Sequence, residues 1–169
     1  MSYYYLIASL PMLQFGTKPP FSYDDFLEAC RTRIPASDME AIEKGLEDKS
    51  GAIKKWNRFD RSLRNELARN RAVKKQKDPA RYIKGEGYPD PFIAPFIHWA
   101  MNQDSPLDAE FYLDKVRWEK LDELAIGHYF DMDYLAVYGL KLKILERWNR
   151  INSGTGMDVL EYLLGTENR

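Results

Sequence analysis

The chain has 169 residues, which suits one domain or two small helical units. Aromatic residues make up 14% of it, and so many large rings exclude intrinsic disorder. The single cysteine, Cys30, excludes an internal disulfide, and the first residues lack the basic and apolar regions of a secretory signal. Because no run approaches the roughly 20 apolar residues of a spanning helix, the sequence predicts a soluble, cytoplasmic protein.

Charge is unevenly distributed along the chain, although the net charge is only −1. Residues 54–84 contain twelve basic and three acidic side chains, a local charge of +9. Residues 104–133 contain three basic and nine acidic side chains, a local charge of −6. This separation predicts either charged partners or pairing between the two segments.

The first 31 residues predict one ambiguous segment, a loop and one helix. Residues 3–9 are apolar over too short a run for periodicity to decide between a strand and a helical turn. Closely spaced prolines and a glycine then predict a loop. Ser22 predicts the N-cap of a helix over 23–31, and Asp25 completes a variant of the capping box.

Two further helices are predicted before the middle of the chain. Ser37 and Glu40 form a second capping box and predict a helix over 38–49, which Ser50-Gly51 ends. A long helix follows over 52–77. Its apolar stripe has helical spacing and consists of Ile53, Trp56, Phe59, Leu63 and Leu67.

A connector rich in proline and glycine covers residues 85–95. The sequence predicts a single helical domain over 1–169. If this domain is subdivided, the connector is the expected boundary between halves at 1–84 and 96–169. Aromatic and aliphatic residues on both sides of Pro95 predict that the connector packs onto the core.

The second half predicts two long helices. Ser105 caps the first, Pro106 occupies its first turn, and it runs to Ile126. Its predicted buried side chains are Leu107, Phe111, Trp118, Leu121 and Ala125. Asp131 caps the second, which covers 132–152. Its packing seam consists of Leu135, Tyr138, Leu142, Leu145 and Asn149. A short last helix is predicted over 157–164. The fold class is therefore all-α, a multi-helix array with a short N-terminal strand as the open alternative.

Residue patterns for catalysis or metal binding are weak. Cys30, His98 and His128 are the only sulfur or imidazole ligands expected for zinc, and the two histidines lie thirty residues apart. No glycine-rich loop follows a strand and opens a helix, so no nucleotide cofactor is predicted. The enzyme alternative rests on an acid pair chosen among Glu110, Asp114 and Glu119 in a groove. We expect a non-catalytic protein without cofactor, metal or small-molecule substrate.

The basic helix over 52–77 is the strongest local pattern. Its cationic side chains are Lys54, Lys55, Arg58, Arg61, Arg64, Arg69, Arg71, Lys74 and Lys75. They suit a solvated face paired with the acidic helix 107–123, a docking surface for an acidic protein, or a phosphate-binding face for nucleic acid. Trp56 and Phe59 share the apolar stripe, so we expect them to be buried and not to stack on bases.

Several segments resemble a bacterial family of unknown function whose genes lie among those of V-type ATPase subunits. They are Tyr3–Pro11 with Phe15-Gly16 and Pro19-Pro20, Phe130–Leu135, Tyr138–Trp148, Trp56 with Phe59, and Leu63–Ala72. The matches extend from Tyr3 to about Gly156. On Tyr138–Arg150, where a tyrosine-bearing helix runs into a lysine-, glutamate- and arginine-rich turn, the family is distantly similar to the C-type socket subunit of V-type ATPases, whose eukaryotic counterpart is the d-type subunit.

The C-type socket subunit is an all-helical, non-catalytic protein between the central rotor shaft and the membrane ring. The resemblance implies a non-catalytic subunit or accessory factor, associated with the membrane only through the complex, whose partners are other V-type ATPase subunits. The predicted partner-binding residues are Lys54, Lys55, Arg58, Arg61, Arg64, Arg69, Arg71, Lys141, Arg147 and Arg150. Socket subunits of this type are longer and repeat a helical module, so this chain is either a fragment or a reduced form. The alternative function is nucleic-acid binding by the helix over 52–77.

A protein isolated from its assembly leaves apolar surface uncovered. The aromatic residues expected on such a surface are Tyr3, Tyr4, Phe92, Phe96 and Trp99.

Overall fold

The computed structural model describes residues 3–85 and 91–153, and these residues form helices without any strand. The α-helices are α1 (Tyr3–Ser9), α2 (Tyr23–Arg31), α3 (Ala36–Lys44), α4 (Gly51–Lys74), α5 (Ala94–Met101), α6 (Pro106–Ala125) and α7 (Met132–Asn152), with a 3-10 turn at Pro79–Arg81. The all-α prediction is confirmed. The predicted helix over 157–164 and residues 86–90 of the connector lie outside the described residues.

The ambiguous N-terminal segment is the helix α1, in which Leu6 and Ile7 are buried. The predicted cap of α2 is confirmed: Ser22 Oγ accepts the Asp25 N–H at 3.0 Å, and the Ser22 N–H donates to the Asp25 carboxylate at 3.1 Å. These two bonds satisfy backbone donors that the first helical turn leaves free. The Ser22 hydroxyl also donates to the Asp25 carboxylate at 2.6 Å, and this bond, together with the one from the Ser22 N–H, holds the pKa of the exposed Asp25 carboxyl below its usual range.

The predicted bounds of α3 were wrong. The helix starts at Ala36, directly after Pro35, whose fixed φ suits a helix start. It ends at Lys44 because Gly45 adopts a left-handed conformation, with φ of +64°, that terminates helices. Ser50 does not end this helix but caps the next one, since its hydroxyl accepts the Ile53 N–H at 3.0 Å.

The stripe of α4 is confirmed, with Ile53, Trp56 and Leu63 buried and Phe59 and Leu67 partly buried. Two predictions for α6 were wrong. Leu107 and Phe111 are 51% and 40% exposed, because both lie in its first two turns, ahead of the buried stripe. That stripe consists of Leu113, Val116, Trp118, Leu121 and Leu124.

The chain divides into two compact units with other bounds than the predicted halves 1–84 and 96–169. Unit 1 consists of Met1–Gly45 and Gly127–Arg169, and within it α2, α3 and α7 pack against one another. Unit 2 is Leu46–Ile126, in which α4, α5 and α6 pack together. Its core contains Leu63, Ile93, Ile97, Ala100 and Leu113. Ile93 of the connector is buried in this core, as expected.

Candidate docking surfaces

The ten predicted partner-binding residues lie on two helices that belong to different units. Seven lie on α4 of unit 2: Lys54, Lys55, Arg58, Arg61, Arg64, Arg69 and Arg71. Three lie on α7 of unit 1: Lys141, Arg147 and Arg150. Each set is therefore described within its own unit.

The first half of α4 presents cations to solvent. Lys54, Lys55 and Arg58 are exposed, and none of them forms an ion pair with a residue in the described ranges. One turn later, Arg61 lies 3.7 Å from Glu47. Arg64 lies 2.6 Å from Asp60, although its side chain remains 73% exposed.

The second half of α4 is engaged with acidic side chains of unit 2. Arg69 pairs with the buried Glu66 at 3.3 Å, and Arg71 reaches Glu110 of α6 at 3.5 Å. The last contact is the expected pairing between the basic helix and the acidic helix. This pairing with the acidic helix is partial, because it does not include the cations in the first half of α4 or at its C-terminal end.

A groove in unit 2, here called the basic groove, combines four cations with an apolar floor. Its volume is about 430 Å³, and its lining residues are Arg64, Leu67, Ala68, Arg71, Ala72, Lys75, Lys77 and Tyr82. Four of the eight side chains are cationic, and three are aliphatic. Lys77 and Tyr82 were missed by the sequence prediction. The helix was predicted to run to residue 77, but α4 ends at Lys74, so both residues lie beyond it.

The turn that brings Lys77 to the groove is a Schellman motif. The Gln76 N–H donates to Val73 O at 3.0 Å, and the Lys77 N–H donates to Ala72 O at 2.9 Å. Gln76 occupies the left-handed position with φ of +53°, where glycine is the usual residue. A strong sequence signal for the turn is therefore missing.

We expect Gln76→Gly to raise the free energy of unfolding by about 0.5–1 kcal/mol, because it removes the left-handed strain at a modest cost in chain entropy. Urea unfolding measures the change. The matched control is Lys75→Gly, since Lys75 has φ of −92° and gains nothing from glycine. Equal destabilisation by both variants would refute the role of strain.

The three cations of α7 lie in a more crowded environment. Lys141 and Arg147 are partly buried, and Arg150 is exposed. Arg150 lines a polar groove of about 510 Å³ together with Lys18, Pro19, Pro20, Phe21, Ser22, Asp24, Glu146 and Asn149. Glu146 accepts the Tyr23 N–H at 2.8 Å, so a carboxylate of the chain already occupies the start of α2.

Tyr138, the tyrosine of the segment over 138–150, is a packing residue. Its ring lies 5.4 Å from that of Phe26, and its hydroxyl donates to Pro11 O at 2.9 Å. Burial raises its pKa above the ordinary tyrosine value, with a smaller contribution from Tyr134. Tyr138 thus holds the N-terminal loop to α7 and does not present its hydroxyl to a partner.

Aromatic surface remains uncovered, as expected. Tyr4, Phe92 and Trp99 are exposed, with Phe92 at 86%, whereas Tyr3 and Phe96 are partly buried. In unit 1 the exposed rings of Tyr4 and Phe130 lie 4.8 Å apart. In unit 2 an apolar groove of about 470 Å³ is lined by Phe59, Phe92, Ile93, Phe96, Val116, Glu119, Lys120 and Glu123.

Two of the three acids of the enzyme alternative hold ion pairs. Asp114 is 1% exposed and accepts from Arg117 at 2.8 Å, and Glu110 lies 3.5 Å from Arg71. Arg117 also donates to Asp60 at 2.9 Å. Burial alone would lower the pKa of Arg117, but the two carboxylates outweigh it and raise that pKa. Glu119 is exposed and lines the apolar groove.

The histidines make local contacts. His98 lies 3.3 Å from the Asn102 amide, and His128 Nδ1 lies 2.7 Å from Asp131. Among residues 3–85 and 91–153, no group of three or more histidine, cysteine or acidic side chains is arranged to hold a metal ion. Over the same residues, no helix combines the length and hydropathy needed to cross a bilayer.

Cys30 is fully buried, and burial raises the pKa of its thiol to about 12. The positive charge of Arg33 opposes this shift but does not outweigh burial. Because the reactive thiolate is then scarce at neutral pH, we expect Ellman's reagent to modify the folded chain far more slowly than the urea-unfolded chain. Equally rapid reaction in both states would contradict the burial of Cys30.

A protein-family model matches part of the chain. The family model described as "Protein of unknown function (DUF2764)" matches residues 99–166. The predicted resemblance to a family of unknown function is thus confirmed over this span, which includes α6, α7 and Trp99. Neither a curated protein nor a solved structure matches the chain.

Proposed function

We propose that this chain is a non-catalytic component or accessory factor of a V-type rotary ATPase, similar to the C-type socket subunit. It would dock onto subunits of the central stalk or the membrane ring and reach the membrane only through that complex. The observation that carries the proposal is the residue pattern over 130–150, which resembles the family encoded beside V-type ATPase subunits. This pattern lies inside the span matched by the family of unknown function.

The surface chemistry of unit 2 supports docking as the role. Lys54, Lys55 and Arg58 present unpaired positive charge among the described residues, and Phe92 is 86% exposed. Protein interfaces combine apolar anchors with a charged rim, and charged rims steer a partner into register. Unit 2 has both features, which suits a protein partner.

Nucleic-acid binding through the helix over 52–77 is supported less well. Arg61, Arg64, Arg69 and Arg71 already face carboxylates of the chain, so fewer cations remain for phosphates. Trp56 is buried, which removes the stacking partner that single-stranded nucleic acid would need on this helix.

The test is affinity purification of the tagged full-length protein from its own cells in mild detergent, read by quantitative mass spectrometry. We expect V-type ATPase subunits in near-equal amounts, compared with a strain that carries the tag alone. Recovery of ribosomal or nucleoid material that high salt removes would instead support nucleic-acid binding. A purification that contains neither ATPase subunits nor nucleic acid would refute the proposal.

A further inference from the structure

We propose that the basic groove of unit 2 binds an acidic amphipathic helix of a protein partner. The inference rests on the proposed docking function and deepens it, because it names the site on this chain and the chemistry of its occupant. It does not depend on which ATPase component supplies the helix.

The floor of the groove has the shape that helix packing requires. Ala68, Ala72 and the C-cap residue Lys75 lie on one face of α4, since residues three, four and seven apart share a face, and Leu67 lines the groove beside them. The two alanines leave a shallow trough in which a ridge of another helix fits closely. Tyr82 forms part of the lining beyond the 3-10 turn and is 48% exposed, so it can cover the apolar side of a bound helix.

The charge of the lining determines the polar face of the occupant. Lys75 and Lys77 are exposed and have no ion pair among residues 3–85 and 91–153. The side chains of Arg64 and Arg71 are 73% and 56% exposed. Each guanidinium has five N–H donors, so N–H groups that do not face Asp60 or Glu110 remain accessible to a partner. No acidic side chain of the described residues lines this groove. Glutamate or aspartate on the occupant would meet all four cations.

The apolar floor favours a helix over a phosphate chain. A nucleic-acid backbone would pair with the cations but leave the partly exposed Leu67 and Ala68 in contact with water. Tyr82 is the only ring in the described lining, whereas stacking of successive bases needs several. An amphipathic helix satisfies both parts of the lining at once, with leucines on the floor and carboxylates at the rim.

The experiment uses the full-length chain and a fluorescein-labelled peptide of about 18 residues, roughly five helical turns. Leucines at i, i+3, i+4 and i+7 form its apolar stripe, and glutamates fill its other face. Fluorescence anisotropy is read at an ionic strength of about 0.1 M, where the Debye length is about 10 Å. The control peptide has the same composition in scrambled order, so only the stripe differs.

The protein variant is Lys75→Glu with Lys77→Glu. Its matched control is Lys49→Glu with Lys115→Glu, which makes the same change in net charge at exposed positions outside the groove lining. We expect the groove variant to weaken binding of the amphipathic peptide at least about tenfold and the control to change it less than about threefold. Thermal unfolding by circular dichroism verifies that both variants are folded.

Four results would overturn the inference. The first is equal binding of the amphipathic and scrambled peptides, which does not depend on any variant folding. The second is an equal effect of the two charge-reversed variants. The third is stronger binding of single-stranded RNA or of vesicles rich in phosphatidylserine than of the peptide. The fourth is an affinity purification in which the groove variant recovers as much of the ATPase subunits as the wild type. It would refute the groove as the docking site but leave the proposed function intact.

Discussion

Arg117→Met is expected to lower the free energy of unfolding by about 3–5 kcal/mol, because it leaves the buried Asp114 and the partly buried Asp60 without their shared cation. The Arg117 side chain is 12% exposed and lies between Asp60, at 2.9 Å, and Asp114, at 2.8 Å. The side chains of these acids are only 13% and 2% exposed. Methionine fills much of the space of arginine, so the loss reports mainly on charge.

Urea unfolding followed by circular dichroism measures this loss. The control is Arg64→Met, which removes a cation from the same Asp60 but at a side chain that is 73% exposed. Exposed pairs contribute about 0–1 kcal/mol, so the control should change stability little. If the two variants lost similar amounts of stability, burial would not be the reason why the Asp60–Arg117–Asp114 network stabilises the chain.

Phe26→Ala is expected to destabilise the chain by about 3–5 kcal/mol, the usual range for deleting a buried ring. Phe26 of α2 is fully buried, and its ring lies 5.4 Å from that of Tyr138 on α7. Gly139 lets the helices approach closely, since a Cβ there would lie 3.0 Å from Phe26 Cε1. The ring thus fills the contact between α2 and α7, and alanine would leave a cavity there.

The same urea titration tests this prediction, with Phe92→Ala as the control. Phe92 is 86% exposed, so we expect its truncation to change the unfolding free energy by at most about 0.5 kcal/mol. If Phe26→Ala were as mild as Phe92→Ala, the packing of α2 on α7 would be contradicted.

Helix starts were predictable because their causes are local. Ser22, Ser105 and Asp131 each accept a backbone N–H within the first turn of the helix that they cap, and the sequence spacing alone predicts this bond. The apolar stripe of α4 was predictable for a similar reason, since its period reflects one helix packed on one side.

Features that depend on tertiary contacts were not predictable. A serine lies near the start of both α3 and α4, and only the folded chain shows that Ser37 falls inside α3 without capping it while Ser50 caps α4. The basic groove combines α4 with residues beyond an unusual left-handed Gln76, and no short-range pattern indicates that arrangement.

The central claim is that this chain docks onto a V-type ATPase as a non-catalytic component. The most direct measurement mixes the purified full-length chain with the detergent-solubilised ATPase from the same organism and follows both by gel filtration at about 0.15 M salt, near physiological ionic strength. The account predicts co-elution at a fixed ratio, which denaturing gel electrophoresis quantifies. Elution of the chain alone, also at lower salt where charged surfaces attract more strongly, would contradict it.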